Sequence, residues 1–231
     1  MGEQDQQTRQ RLLRCAKAEF LSRGFEHASL RRICGAAGVT TGAVYFFFQN
    51  NEDLFAQIVQ DTAQQLTQLG HELASEELEH PDTGPDCDLR FMAFLYRHRE
   101  EALLLLEGAK GTRYASFREE LYDTMRSAFS LFFHRYGAPD ADAELIRILV
   151  EMRMKGTLEL LKGEYSMEHV LRLTQQTGIY ADGGFRSLIA FLQKTAKAKA
   201  RSEGLHLIGK RTEPPGHYRY GTNTTAARHR F

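Results

Sequence analysis

The stretch GVTTGAVYFFFQNNEDLF, residues 38–55, decides the fold of this chain. It begins with a glycine, continues with two threonines that can cap a short helix, and ends where an asparagine can begin a longer one. Its centre holds four consecutive aromatic residues, Tyr45 to Phe48, without a lysine or arginine among them. A short helix buries only one face, so some of these rings must point outward.

Helical patterns surround this stretch. Apolar residues recur at helical spacing between Leu12 and Leu21, and Gly24 is a typical C-terminal stop. Ser29 can cap a second, short helix that ends near Gly38, and Thr40 or Thr41 can cap a third. A longer helix followed by two short ones joined by AAGVT predicts a helix-turn-helix, whose second short helix enters the major groove of DNA.

The rest of the chain also predicts helices. A long fourth helix begins at Asn50, with Asp53 completing a capping box, and must stop at His80-Pro81. Residues 81–88, PDTGPDCD, indicate a hinge. Further helical patterns cover 88–109, 114–136, 140–163 and 167–200, and no strand-like alternation longer than a few residues occurs.

We therefore predict an all-α protein with three parts. Residues 1–55 form a three-helix, helix-turn-helix DNA-binding domain, and residues 56–204 form a helical ligand-binding and dimerisation domain. Residues 205–231 are rich in basic residues and lack periodicity, which predicts a disordered tail. A non-specific DNA-binding arm is the alternative for this tail.

Composition and charge narrow the class of protein. Of 231 residues, 42% are hydrophobic and 26% are charged, as in a globular protein. The net charge is zero, yet residues 8–51 carry +5 and residues 56–193 carry −8, which favours a nucleic-acid-binding head on an acidic body. The sequence lacks an apolar run of about 20 residues for a membrane helix, and the three cysteines form no CxxC pair. We expect no membrane association and reduced thiols in the cytoplasm.

Enzyme motifs are missing from the sequence. It contains no complete GxxxxGK(S/T) phosphate loop, no GxSxG elbow and no HExxH zinc motif, so we predict neither an enzyme nor a cofactor. Residues 71–80, HELASEELEH, include His71, Glu72, Glu76, Glu79 and His80, which could in principle bind a metal. A charged, solvated helix end is the preferred interpretation, and no metal site is predicted.

Residues 11–55 resemble the tetracycline-repressor-like (TetR, or AcrR) family of bacterial regulators. The resemblance is carried by Leu12-Leu13, Ala16, Phe20, Gly24-Phe25, Ile33, Ala37-Gly38-Val39, Gly42, Tyr45, Phe48, Glu52 and Leu54. It implies a ligand-responsive transcriptional regulator that acts at the bacterial nucleoid. By analogy with the family, a repressor is expected rather than an activator. The implied partners are a near-palindromic, double-stranded operator DNA, a second copy of the chain, and an unidentified small-molecule effector that releases the DNA.

Three positions depart from the family pattern. The family usually has His and Tyr where Phe46 and Phe47 stand, and Lys where Asn51 stands. Each replacement makes a DNA-facing position less polar or less charged. An alternative function is therefore a homologue with weakened DNA binding that acts as a ligand-binding or protein-binding dimer.

Roles follow for the residues of the head. Arg31 or Arg32 suits a phosphate contact, with simple solvation as the alternative, and the start of the third helix suits base edges. Tyr45 shares a face with Val44 and Phe48, and Phe48 fills the core. The full predicted DNA-binding set is Ser29, Arg31, Arg32, Thr40, Thr41, Gly42, Ala43, Tyr45, Phe46, Phe47 and Asn51.

The body is expected to bind the effector and the second copy. Its aromatic and sulfur side chains predict a ligand pocket between helices. The predicted pocket residues are Phe91, Phe94, Tyr96, Arg113, Tyr114, Phe117, Tyr122, Met125, Phe129 and Met152. In the family, the last two helices pack against their copies, so the predicted dimer interface is Leu145, Leu149, Gly156, Leu160, Leu173, Thr177, Tyr180, Gly184 and Leu188.

Overall fold

The structure, a computed structural model, describes residues 2–139 and 141–210, without the side chains of residue 200 and residues 202–210. Every regular element in these ranges is helical, which confirms the predicted all-α class. The α-helices are α1 (Glu3–His27), α2 (Leu30–Ala37), α3 (Thr41–Phe47), α4 (Asn51–Glu79), α5 (Gly84–Arg97), α6 (Arg99–Leu103), α7 (Phe117–Arg135), α8 (Ala143–Lys162) and α9 (Met167–Lys210). A 3-10 turn covers Pro81–Thr83, and a π-helix covers Leu104–Gly108.

Local sequence explains the first three helices. The helical φ and ψ angles of α1 are interrupted at Gly24, whose φ of 70° is a conformation that L side chains rarely adopt. The hydroxyl of Ser29 accepts a hydrogen bond from the backbone N–H of Arg32 at 3.4 Å and so caps α2. Gly38, with a φ of 65°, ends α2 in the left-handed conformation and turns the chain towards α3. The predicted helix-turn-helix is present.

The long helix α4 begins at the predicted cap. The side-chain oxygen of Asn50 accepts a bond from the backbone N–H of Asp53 at 2.8 Å. The Asp53 carboxylate accepts in return from the N–H of Gln49 at 2.9 Å. The capping box is thus present with its return bond shifted by one residue, and it satisfies two backbone N–H groups at the start of α4.

The middle of the chain differs from the sequence prediction. The hinge expected over residues 81–88 is one 3-10 turn, because Pro85 sits in the first turn of α5, where a helix tolerates proline. The helix expected over 88–109 is broken at His98, where φ is −111° and ψ is 37°. It resumes as α6 and the π-helix, and α9 continues ten residues beyond the predicted end at 200.

One hydrophobic cluster runs through the first compact unit, Met1–Leu192. In the head it includes Leu12, Phe20, Ile33, Val44 and Phe48, and in the body it includes Leu95, Leu104, Leu105, Phe133, Val150 and Leu161. The predicted head therefore packs within the same unit as most of the body. A second unit begins at Gln193.

The predicted division of the chain into a DNA-binding, a ligand-binding and a tail region, with boundaries at 55 and 204, is a division by function. It stays a prediction. Residues 205–210 of the predicted tail belong to α9, whereas residues 211–231 lie outside the described residues.

Candidate nucleic-acid interface

The start of α3 is exposed and has few roles within the fold. Thr40, Thr41 and Gly42 are all exposed, and the hydroxyl of Thr40 makes no cap hydrogen bond although the residue is the N-cap. A Cβ added at Gly42 would meet only the Thr40 Oγ1, at 3.8 Å. Packing therefore does not require glycine at residue 42, and this surface is free to contact a partner.

The four aromatic residues divide between the core and the surface. Val44 is fully buried and Phe48 is 2% exposed, whereas Phe46 is 71% exposed and points outward as predicted. Phe47 is half-buried and packs against the core, with its ring centroid 4.9 Å from that of Phe46 and 6.4 Å from that of Phe48. The prediction that Phe47 faces outward is thus only partly right.

Tyr45 corrects the predicted packing of α3. Its side chain is 59% exposed rather than facing the core with Val44 and Phe48. The prediction was wrong because Phe48 has left the helix, with φ −135° and ψ 139°, so helical spacing does not relate residues 45 and 48. The exposed position agrees with the inclusion of Tyr45 in the DNA-binding set.

The two arginines of α2 differ. The guanidinium of Arg32 donates to the carboxylate of Glu19, with Nε and Oε1 2.9 Å apart, and this bond is the main reason that the pKa of Glu19 lies below its usual range. The backbone N–H of Ser29 donates to the same oxygen at 2.9 Å, while the Ser29 hydroxyl caps α2. Arg32 and Ser29 thus join α1 to α2. Arg31 is exposed and has no ion pair within the described part of the chain.

Other cations of the head are partly neutralised. Lys17 pairs with Glu100 at 2.6 Å and with Glu101 at 3.0 Å, and Arg9 lies over the Phe48 ring. Arg11 and Arg14 are exposed and, together with Arg32, line an open cleft of about 430 Å³ between α1 and α2. The positive charge that the head can offer to DNA therefore comes mainly from unpaired arginines.

Asn51 lies at the first position of α4 and is half-buried. Its Oδ1 is buried and has no hydrogen-bond partner. An amide oxygen that faces the protein interior contacts no phosphate, so the predicted DNA contact would have to come from the rest of this side chain. The contact stays a prediction.

A segment of the body, residues 104–114, contacts the head, and the sequence did not indicate this. The backbone N–H and the Nε of Arg113 donate to Glu52 at 2.8 and 3.2 Å, which holds the pKa of that carboxyl below its usual range. Lys110 pairs with Glu26 at 3.0 Å. The ring centroids of Tyr114 and Phe55 are 6.3 Å apart. We call residues 104–114 the connecting segment, since it touches both α1 and α4.

Comparison with known proteins identifies the head. Residues 12–58 match a family model described as bacterial regulatory proteins, tetR family. This head belongs to the tetR family. The match covers the helix-turn-helix, the capping of α4 and the exposed start of α3, and it confirms the resemblance predicted from residues 11–55.

Curated relatives of the tetR-family head are regulators. An uncharacterized HTH-type transcriptional regulator, YdgC of Bacillus subtilis, is 36% identical over 70 residues, which are 30% of this chain and 36% of YdgC. The HTH-type transcriptional repressor BepR of Brucella suis is 42% identical over 53 residues, which are 23% of this chain and 25% of BepR. The chain thus spans only about a quarter to a third of these relatives.

The fold also extends beyond the tetR-family head. A TetR-like transcriptional regulator from Rhodococcus sp. RHA1 aligns with a TM-score of 0.52 at 15% identity, covering 77% of this chain and 96% of that one. At this identity the likeness shows the fold alone. It supports the predicted arrangement of an N-terminal helix-turn-helix followed by a helical body.

The residues of the predicted ligand pocket lie in different surroundings in the structure. Met152 is 63% exposed on α8, so it does not line an interior cavity. Tyr96 accepts from the backbone N–H of Tyr165 at 3.1 Å, Arg113 is bonded to Glu52, and the hydroxyl of Tyr122 accepts from Arg118 at 3.3 Å. Phe117 is buried, while Phe91, Phe94, Tyr114, Met125 and Phe129 are half-buried against the core.

The described clefts do not coincide with this predicted pocket. The larger, of about 590 Å³, lies along α1 beside Lys17 and Glu100, and the smaller is the α1–α2 cleft described above. Neither is lined by a predicted pocket residue. The effector site therefore stays a prediction.

The predicted dimer face is exposed in part. Leu145, Leu149, Leu160, Leu173 and Leu188 are half-buried, while Gly156, Thr177, Tyr180 and Gly184 are exposed. A Cβ at Gly156 or Gly184 would meet nothing within 4 Å. Ile148 and Ile179, which are outside the predicted set, are 42% and 63% exposed. The spacing of four residues from Ile148 to Met152 and Gly156 could have revealed the outward stripe.

Membrane-spanning helices and metal-binding clusters are both absent from the described part of the chain. Over residues 2–139 and 141–210, no helix is long and apolar enough to cross a membrane. In the same described part of the chain, no group of three or more His, Cys, Asp or Glu side chains could hold a metal ion.

Proposed function

We propose that the chain is a transcriptional repressor whose α3 enters the major groove of an operator. The observation that carries this proposal is the exposed, unengaged surface of Thr40, Thr41 and Gly42 at the start of the recognition helix of a tetR-family head. Hydroxyl groups can bond base edges, and a glycine allows the backbone to approach the duplex closely. Arg31 can clamp a phosphate and fix the position of the head. Such a regulator acts at the nucleoid in the cytoplasm.

The proposed repressor is a homodimer. Exposed apolar side chains on α8 and α9, among them Met152, Ile179 and Tyr180, support a second copy packed against these two helices. Exposed glycines at 156 and 184 allow helices of two subunits to approach closely. A two-fold dimer places two heads about 34–36 Å apart, one duplex turn, so the operator is near-palindromic.

A small-molecule effector is proposed to release the operator by way of the connecting segment and α4. The pairs Arg113–Glu52 and Lys110–Glu26 tie residues 104–114 to both α4 and α1. An effector that binds the body only when the connecting segment adopts one particular conformation would therefore reposition the head. It acts only if it binds the DNA-free conformation more tightly than the DNA-bound one.

A second function is motivated by Phe46, Asn51 and Arg32. Two of these positions lack the usual polar or charged side chain, and the third is engaged by Glu19. The chain would then be a ligand-binding or protein-binding dimer with little affinity for DNA.

Fluorescence anisotropy separates the two functions. Duplexes selected by the protein from a random pool, and the DNA upstream of its own gene, are titrated at low and at moderate salt. The repressor proposal predicts sequence-specific binding that weakens steeply with salt, since each neutralised phosphate contributes a slope of about −0.9. Equal affinity for selected and scrambled duplexes at low salt would favour the second function.

The release mechanism is tested with the variant Arg113→Met. Compounds from a small-molecule pool that raise the melting temperature are added to the protein–operator complex. In the wild type they should lower operator affinity, and in Arg113→Met they should still stabilise the protein but release less DNA. Arg126→Met, which removes a surface ion pair of α7, is the matched control. A stabilising compound that leaves wild-type operator affinity unchanged would contradict the mechanism.

A further inference from the structure

The recognition helix lacks the side chains that usually read purines. Its sequence from Thr41 to Phe47 is TGAVYFF, which contains no arginine, lysine, asparagine or glutamine. Arginine and lysine are the common readers of guanine, and asparagine and glutamine are those of adenine. Direct readout by α3 is therefore limited to hydroxyl groups and to contact with carbon.

The outward carbon surface of α3 is large and held in place. Phe46 is 71% exposed and Tyr45 is 59% exposed. The Phe46 ring stands edge-on to Phe47, with centroids 4.9 Å apart and planes at 88°, and Phe47 in turn packs beside the buried Phe48. Because Phe46 is braced through Phe47 to the core, little conformational entropy is lost when it contacts a partner.

In the major groove, the carbon surface of the bases is the 5-methyl group of thymine. Apolar side chains, phenylalanine among them, recognise this methyl group, and the other base edges offer hydrogen-bonding groups instead. The unpaired arginines of the head, such as Arg31, supply the attraction to the phosphates without reading sequence. Affinity and base readout are thus provided by different residues of the head.

We propose that Phe46 reads the operator half-site through thymine 5-methyl groups. This inference rests on the proposed function, because it takes α3 to lie in the major groove. It identifies the preferred DNA as one with A·T pairs opposite the outer face of α3. Phe46 is a specificity-determining residue, and Tyr45 extends the same surface.

The test removes the methyl groups alone. Thymines in the half-sites of a selected operator are replaced by deoxyuridine, which keeps every hydrogen-bonding group of the base. The wild-type protein should bind the uracil duplex about fourfold more weakly for each recognised methyl group that is removed, as the transfer free energy of one buried methyl group predicts. Uracil placed at flanking thymines, outside the half-sites, is the duplex control.

The variant Phe46→Ala assigns the effect to one side chain. It should bind the thymine operator more weakly and should lose most of the difference between thymine and uracil, while its melting temperature stays close to that of the wild type. Leu131→Ala, which truncates an exposed apolar side chain on α7, should keep the full difference.

Each remaining outcome is decisive. Equal binding of thymine and uracil operators by the wild type would overturn the inference and leave the repressor proposal standing. A full uracil penalty in Phe46→Ala would show that another residue contacts the methyl groups, which also overturns it. If no selected duplex binds better than a scrambled one, the proposed function itself fails.

Discussion

Arg31 and Arg32 are neighbours in the sequence, and only their surroundings distinguish them. Sequence alone left open which of the two contacts phosphate, because both lie in the first turn of α2. The structure engages Arg32 with Glu19 of α1 and leaves Arg31 exposed. Long-range pairs of this kind, 13 residues apart, have no local sequence signal.

Substituting these two arginines should therefore give different results. Arg31→Ala should weaken binding to specific and random DNA alike and reduce the slope of log affinity against log salt by about one, because one phosphate is no longer neutralised. Arg32→Ala should mainly lower the melting temperature, since it removes the shorter of the two ion pairs of Glu19 and leaves only the longer one with Arg23. Anisotropy titrations over a salt series and thermal unfolding measure the two effects. An unchanged salt slope for Arg31→Ala would contradict its phosphate contact.

Among the residues of α3, the sequence predicted the buried members better than the exposed ones. Val44 and Phe48 lie in the core as expected, because apolar spacing reports on burial. Tyr45 was misplaced, since the end of a seven-residue helix cannot be located to within a residue from spacing alone.

Helix α3 contains a glycine, Gly42, that makes the helix less stable than an alanine at the same position would. Glycine within a helix is less stable than alanine by about 1 kcal/mol, and a Cβ at Gly42 would be tolerated. Gly42→Ala should therefore raise the melting temperature and yet weaken operator binding, because the added methyl group separates the backbone from the duplex. Gly35→Ala in α2, where a Cβ also meets nothing within 4 Å, should raise stability and keep the affinity. Equal operator affinity of the wild type and Gly42→Ala would exclude a close approach of this backbone.

The contact between α4, α5 and α8 is predicted to depend on pH. Arg153 of α8 bonds to Asp88 of α5 and lies 3.8 Å from Glu77 of α4, with Asp182 and Glu76 nearby. Burial raises the pKa of Glu77 above its usual range, against the opposing effect of Arg153. A carboxyl whose pKa is raised by folding binds more protons in the folded state. Its contribution to stability therefore declines as pH rises from the usual carboxyl range through the raised pKa.

Glu77→Gln should remove this unfavourable contribution. The variant should be more stable than the wild type at pH 7, and the difference should shrink as pH falls and vanish well below the ordinary glutamate pKa, where Glu77 is protonated in both states. Urea unfolding at a series of pH values measures it. Glu144→Gln is the control, since Arg147 lowers the pKa of that exposed carboxyl and its loss should not stabilise the protein. Lower stability of Glu77→Gln at pH 7 would show that its weak pairing with Arg153 outweighs burial.

The elements themselves were largely predictable because most have end signals. Ser29, Gly38 and Asn50 mark helix ends by capping chemistry, and the structure places ends there. The break at His98 and the π-helix that follows carry no such signal. Their backbone packs against α1, where a Cβ added at Gly108 would lie 4.0 Å from the Cα of Gly24.

The proposed dimer interface carries exposed apolar side chains on α8 and α9, among them Met152 and Ile179. Met152→Asp places a charge on the exposed apolar stripe of α8, and desolvating that charge between two subunits is unfavourable. The variant should be monomeric by light scattering, should remain folded, and should bind a full operator no better than a half-site. Leu131→Asp, at a side chain that is 56% exposed on α7, should stay dimeric. A dimeric Met152→Asp protein would contradict the proposed interface.

The placement of the outer face of α3 against the bases of the operator is the basis of the proposed repressor function. It is tested most directly by replacing Phe46 with the photoreactive analogue p-benzoylphenylalanine and irradiating the complex with a selected operator. We predict cross-links to bases in both half-sites, about one duplex turn apart. The same analogue at Leu131 should give none. A lack of cross-links from residue 46 to the half-sites would contradict this placement of α3. Cross-links that form as often from residue 131 as from residue 46 would contradict it too.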